Sequence, residues 1–158
     1  MKGEIFGRIK ITEGQKKKHY TQMSIEEKQF LLSKIRTIPL DEIKISNHII
    51  RKTRVIADRK LILGTIKRCN INSIIEFNTR PLTEFVDKRV LIRDHKVYKV
   101  KVWNNRNRTY EERGCNLCVV LSLIKKEVIT IYWNDCMDNH QSVDLDRYDD
   151  GLDVFYYT

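Results

Sequence analysis

The stretch CVVLSLIKKEVITIYW, residues 118–133, decides the fold expected for this chain. Two runs of β-branched and aromatic residues, Cys118–Ile124 and Val128–Trp133, flank the short polar segment Lys125–Glu127. Apolar runs of this length that are separated by a tight polar turn are typical of two strands joined in a hairpin. The sequence therefore predicts an antiparallel hairpin centred near residue 125.

Three further strands are predicted before this hairpin, because apolar and polar residues alternate with period two. These predicted strands are Ser73–Phe77, Arg89–Arg93 and Val97–Trp103. We expect a tight hairpin turn at Asp94–Lys96. We also expect a long exposed loop over residues 104–114, because that segment is polar and rich in turn-forming residues.

Helical signals precede the strands. Residues 24–27 read S-x-x-E, which is a capping box, so a helix is predicted from there to about Arg36. A second helical or irregular segment is expected within residues 43–51. Asp58 is the predicted cap of a third helix that runs to Lys67.

Helices followed by strands predict an α+β fold with N-terminal helices packed on a mainly antiparallel sheet of about four to five strands. A short additional strand is expected over residues 4–11, followed by a loop over 14–20. The 158 residues suit one domain. Within it we distinguish an N-terminal extension with the capped helix (1–42), a helix-plus-sheet core (43–133) and an acidic C-terminal segment (134–158).

The charge of the chain is unevenly distributed. Its formal net charge is +9, but residues 1–133 carry 29 basic and 14 acidic side chains, a net charge of +15, whereas residues 134–158 carry 1 and 7, a net charge of −6. A basic surface attracts polyanions, so the sequence predicts a nucleic-acid partner, with RNA favoured over DNA; solubility alone is the alternative. The acidic segment could shield that surface or bind an inhibitory or target protein.

Several classes of protein are excluded by composition and motifs. With 6 Gly in the chain, neither a Walker motif nor a dinucleotide-binding fingerprint is present. No run approaches the roughly 18 apolar residues of a membrane span, and the N-terminus lacks the apolar core of a signal peptide. We therefore expect a cytoplasmic protein without membrane association.

Basic residues in exposed-looking segments are the candidates for phosphate contacts. They are Lys16, Lys17, Lys18, Arg51, Lys52, Arg54, Arg106 and Arg108. The last two belong to a segment that also contains Trp103 and Tyr110, so guanidinium and aromatic groups alternate as in surfaces that stack bases. An ordinary hydrophilic loop explains that segment equally well.

His48 lies in a cationic sequence context, close to Arg51 and Arg54. Neighbouring cations favour the neutral form of an imidazole, which is the form that accepts a proton. RNA cleavage without a metal needs such a base, a cation for the phosphorane and an acid for the leaving oxygen. The alternative is a helix-end histidine bonded to the backbone.

The order of these elements resembles the small RelE-like and BrnT-like ribonuclease toxins of the barnase, EndoU, colicin and RelE-like group. The resemblance covers about residues 43–133 and rests on S-x-H at Ser46–His48, the strand Val90–Arg93 and the strand Val128–Tyr132. It implies a helical part followed by an antiparallel sheet, and a metal-independent endoribonuclease. Carried over by position, it implies His48, Arg93, Thr130 and Tyr132 as catalytic residues.

Cysteine spacing offers a different site. Cys115-x2-Cys118 and Cys136-x3-His140 have the ligand types of a Cys3His zinc site, and a hairpin between the two pairs would bring them to one end. Buried free cysteines are the alternative, and no cofactor is then expected. The alternative function is a non-enzymatic nucleic-acid-binding or regulatory protein, from a phage or another mobile element.

Overall fold

The computed structural model describes residues 15–52, 58–138 and 144–155. Within these ranges the fold is α+β and has three α-helices and a six-stranded antiparallel sheet. The helices are α1 (Ile25–Arg36), α2 (Asn47–Lys52) and α3 (Arg59–Lys67). The strands are β1 (Lys16–His19), β2 (Ile74–Pro81), β3 (Val86–Arg93), β4 (Tyr98–Asn104), β5 (Thr109–Ser122) and β6 (Glu127–Asp135).

The predicted helix starts are confirmed. The Ser24 hydroxyl accepts from the backbone N–H of Glu27, and the Glu27 carboxylate accepts from the Ser24 N–H, which completes the capping box of α1. Asp58 Oδ1 accepts from the N–H of Leu61 and so caps α3. These local side-chain contacts satisfy backbone donors that a helix leaves unpaired at its start.

β5 organises the sheet. Its second half pairs with β3 on one side and with β6 on the other, and its first half pairs with β4. β2 lies beyond β3, and β1 beyond β2. The strand β1 occupies residues for which a loop was predicted, so the described part of the sheet has one strand more than expected. The predicted strand over 4–11 lies outside the described residues.

The expected hairpin turn at Asp94–Lys96 is wrong. β3 and β4 run in the same direction along the same edge of β5, with Arg93 opposite Cys118 and Tyr98 opposite Cys115. The chain therefore bulges between them without reversing direction.

The cause of this bulge is the Asp94 carboxylate. It is buried, and it accepts hydrogen bonds from Thr65 on α3, from Arg68 directly after α3 and from the backbone N–H of Lys96. These contacts fasten the segment to the helical layer while the Asp94 N–H donates to the carbonyl of Leu117 on β5.

Three hairpins are present in the described residues. The predicted hairpin near residue 125 is confirmed, with Ser122 opposite Glu127. A second joins β2 to β3, with Pro81 opposite Val86. The third closes at residues 105–108, where Asn104 lies opposite Thr109. The segment 104–114 is therefore mostly strand, which corrects the expectation of a long loop.

The helices cover one face of the sheet, and the hydrophobic core lies between them. Core residues include Leu31, Ile35, Ile62, Ile66, Phe77, Val90, Ile92, Leu117, Leu121 and Ile131. Because side chains alternate along a strand, the residues between these point to the opposite side. We call that side the polar face; it carries Lys17, Glu76, Asn78, Arg89, Arg93, Asn116, Cys118, Thr130, Tyr132 and Asn134.

The described C-terminal segment, residues 144–155, crosses the edge strand β1. The Asp149 N–H donates to the Lys17 carbonyl at 2.8 Å. Beyond this point Val154 is fully buried in the core, and the Phe155 ring packs against Phe30 of α1. This part of the acidic segment is thus integrated into the fold.

Candidate functional site

A row of three side chains crosses the polar face from β3 to β6. Arg93 lies opposite Cys118, and Cys118 lies opposite Tyr132. The small Cys118 side chain is fully buried between its two long neighbours. Arg93 and Tyr132 therefore lie on either side of one buried side chain of the polar face.

Cys118 and Tyr132 both keep their protons at neutral pH. Burial raises the pKa of the Cys118 thiol to about 11, although Arg93 and a hydrogen bond from the Tyr132 hydroxyl oppose the rise. Burial and the neighbouring Cys118 also raise the pKa of Tyr132. The Tyr132 hydroxyl is consequently a hydrogen-bond donor and not a base.

The Arg93 guanidinium is held at the end of the sheet. Its Nε and Nη2 atoms donate to Asn116 Oδ1 at 3.1 and 2.8 Å, and Nη2 also donates to the Asp135 carbonyl at 3.0 Å. Arginine fixed in this way presents its planar cation in a defined orientation, which suits recognition of a phosphate.

A cleft of about 560 Å3 opens beside Arg93, where β2 begins and β3 ends. Its wall combines an imidazole, two cations and several hydrogen-bonding groups from α1, the segment before β2 and the β3–β4 bulge. The polar lining includes Tyr20, Lys28, Asn72, Arg93, His95 and Asn116. Convergent titratable groups in a concave site are the usual mark of a binding or catalytic centre.

His95 lies next to Asp94 in this cleft. Its side chain is the most exposed among the described ionisable residues of the lining. Its side chain is 64% exposed, and its Nδ1 lies 3.9 Å from Asp94 Oδ1. Burial opposes ionisation of Asp94, but hydrogen bonds from Arg68 and from the Lys96 N–H outweigh it and hold the Asp94 pKa below its usual range. Asp94 is therefore a fixed negative charge close to the imidazole.

The C-terminal segment covers the β1–β2 side of the polar face. Burial and a hydrogen bond to Glu76 raise the pKa of Tyr148, whose hydroxyl donates to that carboxylate. Lys17 Nζ lies 4.0 Å from Glu76 Oε1 and 4.8 Å from the centre of the Tyr148 ring. The Glu76 carboxylate is thus engaged by two neighbours from different parts of the chain.

The residues predicted as catalytic are divided between two layers. Arg93 and Tyr132 share one row of the polar face, and Thr130 lies on the same face opposite Val120. His48 is exposed on α2, in the helical layer, and α2 contacts β6, the strand that carries Thr130 and Tyr132.

The predicted phosphate-binding residues also differ in their surroundings. Lys18 is buried and donates to Glu27 Oε2 at 2.7 Å, so its ammonium does not face solvent. Exposed side chains are those of Lys16, Arg51, Arg106 and Arg108, and Lys17 is partly exposed. The Lys52 side chain and Arg54 lie outside the described residues.

The geometry expected for a zinc site is not met by the first cysteine pair. Cys115 and Cys118 are three residues apart on one regular strand, so their side chains point to opposite faces of the sheet. Over residues 15–52, 58–138 and 144–155, no group of three or more potential metal ligands is found. His140 lies outside these ranges.

Sequence reasoning missed His95, Lys28 and Asn116. They come from three separate parts of the chain, and the fold alone brings them to the cleft. The sequence did contain one local indication of His95: it lies two residues after Arg93, the last residue of a predicted strand.

Two further observations bear on function. Among the helices in the described ranges, none is long and apolar enough to span a membrane. Comparison of the chain with protein-family models, curated proteins and solved structures found no match.

Proposed function

We propose that this chain binds RNA and cleaves it without a metal ion, at the cleft beside Arg93. The observation that carries the proposal is the position of Arg93, which belongs both to the wall that contains His95 and to the polar-face row that contains Tyr132. A phosphate held by this guanidinium would have an imidazole on one side and a phenol on the other. The net charge of +9 supports a polyanionic ligand.

The side chains supply the groups that the reaction needs. His95 accepts the proton of the ribose 2′-hydroxyl, and the resulting oxygen attacks the adjacent phosphorus. Arg93 stabilises the charge that develops on the phosphorane oxygens. The Tyr132 hydroxyl donates a proton to the departing 5′-oxygen. The products are a 2′,3′-cyclic phosphate and a 5′-hydroxyl, and the proton on His95 returns through water to Tyr132.

Asp94 has a positioning role in this scheme. Its buried carboxylate lies 3.9 Å from His95 Nδ1 and would orient the imidazole that accepts the proton. Arg68 and Thr65 keep that carboxylate in place from the helical layer.

His48 is the alternative base. It is exposed on α2, which contacts the strand of Thr130 and Tyr132, and it follows the S-x-H pattern on which the resemblance to ribonuclease toxins rests. A comparison of His95→Ala with His48→Ala separates the two assignments. We expect His95→Ala to lower the cleavage rate about 100-fold or more and His48→Ala to leave it within about threefold. The reverse result would move the base to α2 and away from the cleft.

The second candidate function is RNA binding without cleavage, which the exposed basic groups outside the cleft support. Under this alternative, affinity for RNA falls with rising salt and no product forms at any pH. Incubation with labelled single-stranded RNA in EDTA, followed by a denaturing gel, distinguishes the two functions.

A further inference from the structure

A two-stranded ribbon projects beyond the rest of the sheet. We call residues 98–114 the arm: β4 and the first half of β5, joined by the turn at 105–108. In the described structure, the ladder between β5 and β6 ends where Cys115 lies opposite Asp135, and the ladder between β5 and β3 ends at Cys118. From Gly114 to Thr109, β5 pairs with β4 alone among the described strands. At roughly 3.3 Å per residue, this part of the ribbon is about 20 Å long.

An aromatic pair lies near the tip of the arm. Trp103 and Tyr110 are directly opposite each other, and their ring centroids are 5.0 Å apart at an interplanar angle of 68°. Trp103 is 47% exposed and Tyr110 is 64% exposed. A cross-strand aromatic pair stabilises a ribbon, but this pair leaves about half of each side chain in contact with solvent. Ring surface is therefore available to a ligand.

Cations surround this aromatic pair. Lys99 and Lys101 alternate with Trp103 along β4 and so share its face, and Arg106 and Arg108 lie in the adjacent turn. In the described ranges, no ion pair to a carboxylate is found for these four side chains. Glu111 lies on the other face and is engaged by Asn104 and Arg113, while Glu112, opposite Lys101, is the carboxylate of the aromatic face in the described arm.

The turn holds its two arginines in a defined place. Asn104 Oδ1 accepts from the backbone N–H groups of Arg106 and Asn107, and the Arg108 N–H donates to the Asn104 carbonyl. Arg108 has a φ of 56°, so the backbone closes the turn in the left-handed region. The cations at the tip are thus presented by an ordered backbone.

We propose that the arm binds single-stranded RNA, with unpaired bases stacked on Trp103 and Tyr110 and phosphates on the neighbouring lysines and arginines. Bases of a duplex are already stacked on each other, whereas unpaired bases expose the ring faces that aromatic side chains contact. The positive charge favours this ligand over a protein partner, for which the aromatic pair alone would also be suitable. The inference rests on the proposed function in one respect, namely that the ligand is RNA.

The test compares two RNAs and three variants by fluorescence anisotropy. The probes are an unstructured oligonucleotide of about 12 nucleotides and a duplex of the same length, both with 2′-O-methyl groups so that neither can be cleaved. The variants are Trp103→Ala with Tyr110→Ala, Trp103→Phe with Tyr110→Phe, and the control Phe85→Ala. Phe85 is 39% exposed and lies outside the arm.

We expect the double alanine variant to bind the single strand at least about tenfold more weakly and the duplex within about twofold of wild type. The double phenylalanine variant and Phe85→Ala should bind both probes nearly as wild type does. Replacing Lys99 and Lys101 by Gln should lower the slope of log affinity against log salt by about one to two. The double alanine variant should leave that slope unchanged.

Three results would overturn the inference: unchanged single-strand affinity in the double alanine variant, an equal loss for both probes, or a wild-type dimer that the same variant dissociates in sedimentation experiments. Failure of this inference about the arm can be distinguished from failure of the proposed function. Arm variants should reduce affinity while the single-turnover cleavage rate at saturating RNA stays constant. Arm-dependent binding by a protein that never cleaves RNA would retain the arm's role and remove the catalytic proposal.

Discussion

The Lys18 ammonium lies 2.7 Å from Glu27 Oε2, and only 7% and 11% of the two side chains are exposed. The pair joins β1 to α1. Lys18 also donates to the Leu152 carbonyl at 3.2 Å, so the same ammonium holds the C-terminal segment. Three distant parts of the chain therefore depend on one buried cation and its partner.

Removing the negative partner should destabilise the protein. Glu27→Gln preserves the shape of the side chain but keeps only one of its two acceptor oxygens and leaves Lys18 without a buried counter-charge, and we expect a loss of about 3 kcal/mol in the free energy of unfolding. Urea denaturation at pH 7 measures this loss. Glu26→Gln is the matched control, because Glu26 is exposed on the same helix; it should change stability by less than about 0.5 kcal/mol.

The effect of Glu27→Gln should depend on pH. Burial opposes ionisation of the Glu27 carboxyl, but hydrogen bonds from Lys18 and Ser24 outweigh it and hold its pKa below the ordinary value. A lowered folded-state pKa gives stability that is present above about pH 4.3 and is lost as the pH falls through the lowered value. The difference between wild type and Glu27→Gln should therefore shrink below about pH 4. A constant difference between pH 3 and pH 7 would contradict this explanation.

The thiols should differ in their reactivity. Burial raises the pKa of both Cys69 and Cys118 to about 11, and these side chains are 2% and 0% exposed. The thiolate is the reactive form, so neither should react appreciably with iodoacetamide at pH 8 in the native protein. Cys136 is partly exposed and should react first. Mass spectrometry of the alkylated protein tests this order, and equal rates at Cys118 and Cys136 would show that the polar-face row is open to solvent.

The β5–β6 turn can be stabilised at one position. Lys126 has a φ of 55°, a conformation that costs a residue with a side chain about 1 kcal/mol more than it costs glycine. Lys126→Gly should raise the free energy of unfolding by up to about 1 kcal/mol, because relief of strain exceeds the entropy lost by glycine. Lys125→Gly, one residue earlier without a positive φ, should lower it by about 0.5–1 kcal/mol. A loss of stability in both variants would contradict the strain argument.

Features set by local chemistry were predictable from the sequence. The starts of α1 and α3 follow from side chains that bond to the next turn of backbone, and the hairpin at residue 125 follows from a polar turn between apolar runs. Period-two alternation also places Thr130 and Tyr132 on one face of β6, whichever strands lie beside it.

Features set by distant contacts were not predictable. KKKH at residues 16–19 reads as an exposed loop, and it becomes a strand because Lys18 finds Glu27 and Leu152 in the folded chain. The bulge at Asp94 depends on Arg68, 26 residues away. His95 gains a place in the cleft through that same bulge, so its position follows from a tertiary contact and from no motif around it.

The most direct test of the catalytic proposal is the single-turnover cleavage rate of labelled single-stranded RNA in EDTA, compared between wild type, Arg93→Gln and Arg147→Gln. Arg147 is an exposed arginine away from the cleft and serves as the matched control. The proposal predicts 2′,3′-cyclic phosphate ends from wild type and from Arg147→Gln, and a rate at least about 100-fold lower for Arg93→Gln with RNA affinity within about threefold. Cleavage by Arg93→Gln at the wild-type rate, or no cleavage by the wild-type protein, would contradict it.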